Sequence, residues 1–139
     1  MILYLDTSSL VKLYVEETAS SEVAEQVSGA SIAATSMVAY AEARAAFARR
    51  FRESAFTPEQ YTRIKEVFTE DWNGFFILGV TNELVCSAGE LAEKHALRGF
   101  DAIHLASALT LRQELSSPIL FSCFDDKLEA AFHRECPES

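Results

Sequence analysis

The stretch that most constrains this chain is its opening run, Met1-Ile2-Leu3-Tyr4-Leu5-Asp6-Thr7-Ser8-Ser9-Leu10. Five apolar residues in a row, closed by polar ones, describe a strand buried on both faces. Thr7, Ser8 and Ser9 suit the N-cap of a following helix, read here over Ser9 to Glu17. Asp6 then stands where a buried strand gives way to a helix. In open α/β sheets that is where ligands bind, although a lone Asp in such a place is also an ordinary cap.

Strand and helix patterns alternate along the rest of the chain. Thr18 to Gly29 reads as a helix capped by Ser20 or Ser21 and stopped at Gly29. Ser31 to Ala34 is a weak strand, and Thr35-Ser36 opens an alanine-rich helix to Arg52. Thr57-Pro58-Glu59-Gln60 is a helix start with a capping box, and Asn73-Gly74 ends that helix. Phe75 to Gly79 reads as a doubly buried strand, followed by helices from Asn82 to about Leu97 and from Phe100-Asp101 onward. Ile119 to Phe121 is the fourth strand. Asp125 or Asp126 opens a last helix to about His133, and Cys136 to Ser139 reads as a loose tail. Such alternation predicts a single α/β domain over residues 1–139, with a parallel sheet of about four to five strands and helices on both faces.

Composition removes several classes of function. No apolar run approaches the ~20 residues of a membrane span, and Met1 leads straight into a strand without a basic leader. Three cysteines without C-x-x-C spacing fit a reduced, cytoplasmic protein with neither a disulfide framework nor a zinc site. A net charge of −9 argues against a uniformly basic grip on nucleic acid. The cations that exist are concentrated: Arg44, Arg49, Arg50 and Arg52 form either a solvated helix face or a phosphate contact. Lys12 is a further candidate RNA contact, or a partner of Glu16 one helical turn on. The aromatics between Phe47 and Phe76 read as core, or as a dimer surface.

Four acids occupy comparable settings. Asp6 follows the first strand, Asp101 sits in a helical first turn after Gly99-Phe100, and Asp125 follows the fourth strand. Glu42 lies inside the long helix among apolar neighbours. It either pairs with Arg44 or Arg49 or points into a shared acidic pocket. Carboxylates brought together repel and take up protons, and hard divalent cations relieve that repulsion. A site of carboxylates alone would therefore take Mg²⁺ or Mn²⁺ and suit phosphoryl chemistry. His104, three residues after Asp101, reads as a packed or hydrogen-bonded histidine rather than a base. Cys123 reads as a small buried residue.

Four blocks carry a family resemblance: Leu5-Asp6-Thr7-Ser8-Ser9-Leu10-Val11-Lys12-Leu13, Thr35-Ser36 through Tyr40-Ala41-Glu42, Phe100-Asp101-Ala102-Ile103-His104-Leu105-Ala106-Ser107-Ala108, and Phe121-Ser122-Cys123-Phe124-Asp125-Asp126-Lys127-Leu128. In this order and spacing they resemble the PIN domain, and within it the VapC-type toxins of bacterial toxin–antitoxin pairs. The resemblance implies a three-layer α/β/α fold and a metal-dependent endoribonuclease leaving a 5′-phosphate and a 3′-hydroxyl. It implies that Asp6, Glu42, Asp101 and Asp125 hold Mg²⁺ or Mn²⁺, with Ser8 supporting, and that Asp126 shares or takes the fourth place less readily than Asp125. It further implies an RNA substrate, a VapB-like antitoxin, a homodimer, and no small organic cofactor. The family often adds a strand after the last helix, so with the chain ending at Ser139 the sheet is expected to lack one edge strand or keep a short remnant. Two other classes compete. One is a catalytically silent binding module; the other is a phosphatase or receiver domain, whose phosphatase form would need a second Asp where Ser8 stands.

Overall fold

The computed structural model describes residues 1–138, and the tail residue Ser139 lies outside them. Strand β1 (Ile2–Leu5) is central, and the sheet order is β3-β2-β1-β4, with β2 (Ile32–Ser36), β3 (Phe76–Leu78) and β4 (Ile119–Ser122) all parallel. The register sets Leu3 beside Ala33 on one side and Leu120 on the other.

Because side chains alternate across a strand, β1 feeds two cores. Leu3 and Leu5 face α1 (Thr7–Val11), α3 (Val38–Arg52) and α4 (Pro58–Trp72), in a cluster with Val23 of α2 (Ser20–Gly29). Tyr4 faces the opposite way, toward α5 (Asn82–His95), α6 (Gly99–Leu115) and α7 (Asp126–Glu135). Two helical layers around one parallel sheet are the three-layer α/β/α fold.

Local departures from the expected elements have local causes. The first helix starts at Thr7, because Asp6 itself caps it by accepting the Ser9 N–H, and it ends at Val11. Neither Ser20 nor Ser21 caps α2. Its N-cap is Ala19 in the left-handed region, while the Ser20 hydroxyl accepts from Glu17 N and donates to the Val15 carbonyl. Strand β2 continues through Thr35-Ser36, so α3 begins later, at Val38. The Thr35 hydroxyl donates to the Leu5 carbonyl at 2.7 Å, binding β2 to the end of β1. The third strand is not doubly buried: β3 is an edge with Phe76 exposed. The Thr57–Gln60 capping box forms on both sides. The last helix reaches Glu135 and Cys136 is buried, while Pro137 and Glu138 are exposed; the rest of the expected loose tail, Ser139, lies outside the described residues. Among the described residues no strand follows α7, and the sheet has four strands.

Most of the middle aromatics pack on one another, while Phe76 is exposed on the β3 edge. Phe68 packs against Phe47, Tyr14, Tyr40 and Trp72 with ring centroids 5.2–5.8 Å apart. Phe47 and Phe68 are buried in that core. No helix among the described residues is long and apolar enough to cross a membrane.

Candidate active site

From β1 the chain moves to one side, through β2 and β3, and returns through α5 and α6 to place β4 on the other side. The crevice beyond the ends of β1 and β4 is therefore the topological switch point of the sheet, where ligands of such folds sit. Asp6 leaves β1 there, with its N–H on the Ser122 carbonyl at 3.1 Å, and Asp125 leaves β4 there. A cavity of about 320 Å³ at this point is lined by Asp6, Ser8, Glu42, Asp101 and Asp125, together with Thr7, Arg98, His104 and Phe124. All four acids singled out from the sequence thus meet one cavity, and so does Ser8. Asp126 is exposed in the first turn of α7 and is not part of the lining.

Each acid commits one carboxylate oxygen to the fold. Asp6 Oδ1 accepts the Ser8 hydroxyl at 2.7 Å and the Ser9 N–H at 3.0 Å. Glu42 Oε1 accepts the Thr7 hydroxyl at 2.5 Å and His104 Nε2–H at 3.0 Å. Asp101 Oδ2 accepts Arg98 Nε–H at 3.1 Å, and Asp125 Oδ1 caps α7 through the Leu128 N–H at 2.8 Å. Among the described residues the second oxygen of each takes no hydrogen bond. These free oxygens are hard donors of the kind Mg²⁺ or Mn²⁺ prefers, with no thiolate or free imidazole to favour zinc. They do not form a closed cage: among the described residues no three His, Cys, Asp or Glu side chains are grouped as a bound ion would require.

The electrostatics differ from acid to acid. Burial raises the affinity of Asp6 for its proton, and the Asp101 charge adds to this, against the Ser9 and Ser8 bonds and the nearby His104. Burial also pushes Glu42 up, but the His104 and Thr7 bonds outweigh it, with help from the charges of His104 and Arg98, so Glu42 ends below the usual carboxylate range. Neighbouring acids pushed apart in this way are a mark of functional sites.

His104, only 2% exposed, anchors the inner wall. Since a carboxylate can only accept, Nε2 carries a proton toward Glu42. On its other side, Nδ1 lies within hydrogen-bond distance of the Tyr4 hydroxyl, 2.8 Å away. The histidine is thus a buried bridge from β1 to Glu42, as its apolar neighbours suggested. Glu42 uses that bridge and does not pair with Arg44 or Arg49. Cys123 is half-buried with its thiol pushed up to about 12 by burial, which removes it as a nucleophile.

None of the basic candidates lines the cavity, although Lys12 sits over the ring of Phe124, which does. Arg50 and Lys12 both pair with Glu17, so the partner of Lys12 is Glu17 rather than Glu16. Arg44 donates to the Tyr40 hydroxyl and Arg49 faces Glu53. The cation that does reach the acids is Arg98, 84% exposed and absent from the sequence-derived candidates. Its signal was its place three residues before Asp101, within reach on one helical turn. Thr7 was also missed as more than a cap. Its role depends on Glu42 and His104, which stand 35 and 97 residues away.

The PIN domain family profile matches residues 3–131, and the chain belongs to the PIN domain family. Within it the chain groups with VapC-type proteins. It is 37% identical over 110 residues to Ribonuclease VapC45 of Mycobacterium tuberculosis (strain CDC 1551 / Oshkosh) and, equally, to Ribonuclease VapC49 of strain ATCC 25618 / H37Rv, covering 79% of this chain and 76% of each relative. Its structure also matches a chain in the crystal structure of VapBC2 from Rickettsia felis bound to a DNA fragment from their promoter, with a TM-score of 0.56. That match spans 90% of this chain and all of the other at 16% identity, a likeness of fold.

Proposed function

We propose that this protein is an endoribonuclease of the toxin type, hydrolysing RNA phosphodiester bonds with Mg²⁺ or Mn²⁺ held by Asp6, Glu42, Asp101 and Asp125. A VapB-like antitoxin neutralises it. The observation that carries this reading is the single cavity lined by four acids from four separate segments, each with one oxygen unbonded. The names of the similar VapC ribonucleases and the VapBC2 likeness support the substrate and the partner. A homodimer in the cytoplasm completes the proposal, and light scattering on the isolated chain tests its oligomeric part.

The cation supplies Lewis acidity toward the phosphate and a lowered pKa for bound water. The chain supplies placement. Ser8 and the Ser9 N–H hold one oxygen of Asp6 and thereby aim the other at the cavity. Thr7 and His104 keep Glu42 ionised and in one orientation, with Tyr4 fixing His104 from behind. Asp125 is immobilised by its own cap on α7.

The test is cleavage of total bacterial RNA by the wild type with Mg²⁺, with EDTA, and by Asp6→Asn. Cleavage confined to the first supports the proposal; equal behaviour in all three rejects it. The Arg98–Asp101 pair favours the rival reading, a silent RNA- or protein-binding module, since it occupies one of the acids. An intact metal site that cuts no cellular RNA would establish the rival.

A further inference from the structure

The acid cavity does not end at the acids. A second cavity of about 530 Å³ is lined by Glu42, Arg98, Gly99, Phe100, Asp101 and Ile103. The two share Glu42, Arg98 and Asp101, so they form one trench with those residues at its middle. Phe100 lines only the second cavity and Phe124 only the first. Both rings are unusually open for their type, 56% and 46% exposed. The Lys12 ammonium, paired with Glu17, already covers one face of the Phe124 ring at 4.6 Å from its centroid, so a base would use the other face.

This arrangement has the parts an unpaired dinucleotide needs. Exposed π-faces stack on bases that are not already in a helix. Arg98 lines both cavities, is 84% exposed and bonds Asp101 only through Nε, which leaves the rest of its fork for a phosphate oxygen. A protein of net charge −9 offers no uniformly basic track for a phosphate backbone, so contacts to the bases add to its hold on RNA. We propose that Phe100 and Phe124 are stacking platforms that seat the nucleobases flanking the phosphate lying over Glu42 and Asp101. The assignment rests on the nuclease reading of the acid cavity.

The experiment uses the full chain carrying Asp6→Asn, without added metal, and a short oligoadenylate strand containing 2-aminopurine, whose fluorescence is quenched on stacking. Phe100→Ala and Phe124→Ala should each relieve quenching and weaken binding by about 5- to 150-fold. Phe→Tyr should restore both. Phe→Leu, similar in apolar bulk but without a π-face, should not, and this separates stacking from burial or misfolding. The same strand in a complete duplex should bind no better than the alanine variants. Unchanged affinity on ring removal, equal binding by the leucine variants, or equal binding of the duplex overturns the proposal. So does retained RNA affinity with loss of a co-purified antitoxin or of self-association, since the rings would then be a protein-docking surface. If the otherwise wild-type chain cuts no RNA yet ring-dependent quenching persists, stacking stands and the nuclease reading falls.

Discussion

Arg98→Ala separates two roles that the structure superimposes on one side chain. The guanidinium lies at 3.1 Å from Asp101, is largely in water, and pairs across three residues of a helix start. A pair of this kind is worth about 0.2–1 kcal/mol, so the variant should melt within about 4 °C of the wild type. A cation binding through the free Asp101 oxygen competes with the Arg98 charge for the same carboxylate. Converting the same 0.2–1 kcal/mol at 1.4 kcal/mol per decade gives Mn²⁺ affinity about 1.4- to 5-fold tighter in the variant. Losing a positive charge that also acts on Glu42 works in the same direction. Single-stranded RNA should respond the opposite way: one phosphate contact disappears, and the slope of log K against log salt becomes shallower by about 0.7. Calorimetric titration with Mn²⁺ in the absence of RNA, then RNA binding at several salt concentrations, reads the two effects apart. Weaker Mn²⁺ binding in Arg98→Ala would refute the reasoning, because Arg98 would then be organising Asp101 rather than competing for it. An unchanged salt slope would remove the phosphate contact.

Three other perturbations test the surroundings. Asp6 is buried with its proton affinity raised, so at neutral pH its charge opposes folding, and the opposition fades as pH falls. Asp6→Asn should therefore raise the melting temperature in EDTA while abolishing the further rise that Mg²⁺ gives the wild type; a lower melting temperature in EDTA contradicts this. Glu135 is held below the usual range by hydrogen bonds from Lys94 and His95. Its contribution is complete above the ordinary glutamate value and is lost as pH drops through its depressed one. The melting-temperature gap between wild type and Glu135→Gln should accordingly be largest near neutrality and close in acid, as followed by circular dichroism. Thr35→Val keeps the shape of a fully buried side chain but leaves the Leu5 carbonyl without its donor. It should cost about 1–3 kcal/mol in urea unfolding, and no loss would mean that water replaces the hydroxyl.

What the sequence made legible here is what chain-local chemistry dictates. Asp6, Asp101 and Asp125 stand at strand ends and helix starts, positions readable from hydrophobic runs and capping residues. Glu42 stood out because a charge among alanines needs a partner. Elements shifted where a side chain had a distant alternative. Thr35 and Ser36 looked like a helix start, yet the end of β1 recruits Thr35 into the sheet. Ser20 looked like a cap, yet it ties down the preceding turn. Periodicity could not tell β3 from a central strand, since edge or centre depends on the order of strands and not on composition.

The same distinction explains why the acids were visible and their supports were not. A carboxylate in a cavity is conspicuous wherever it falls in the chain, but Thr7, His104 and Tyr4 matter only in combination, across up to 100 residues. That combination decides which acid stays ionised. With the two bonds from Thr7 and His104, Glu42 falls below the usual carboxylate range despite its burial, whereas Asp6, buried beside Asp101, rises. Exchanging the acids alone would therefore not transplant the site to another α/β sheet. The hydroxyl, imidazole and phenol behind Glu42 would have to move with it, because they set its charge and its direction.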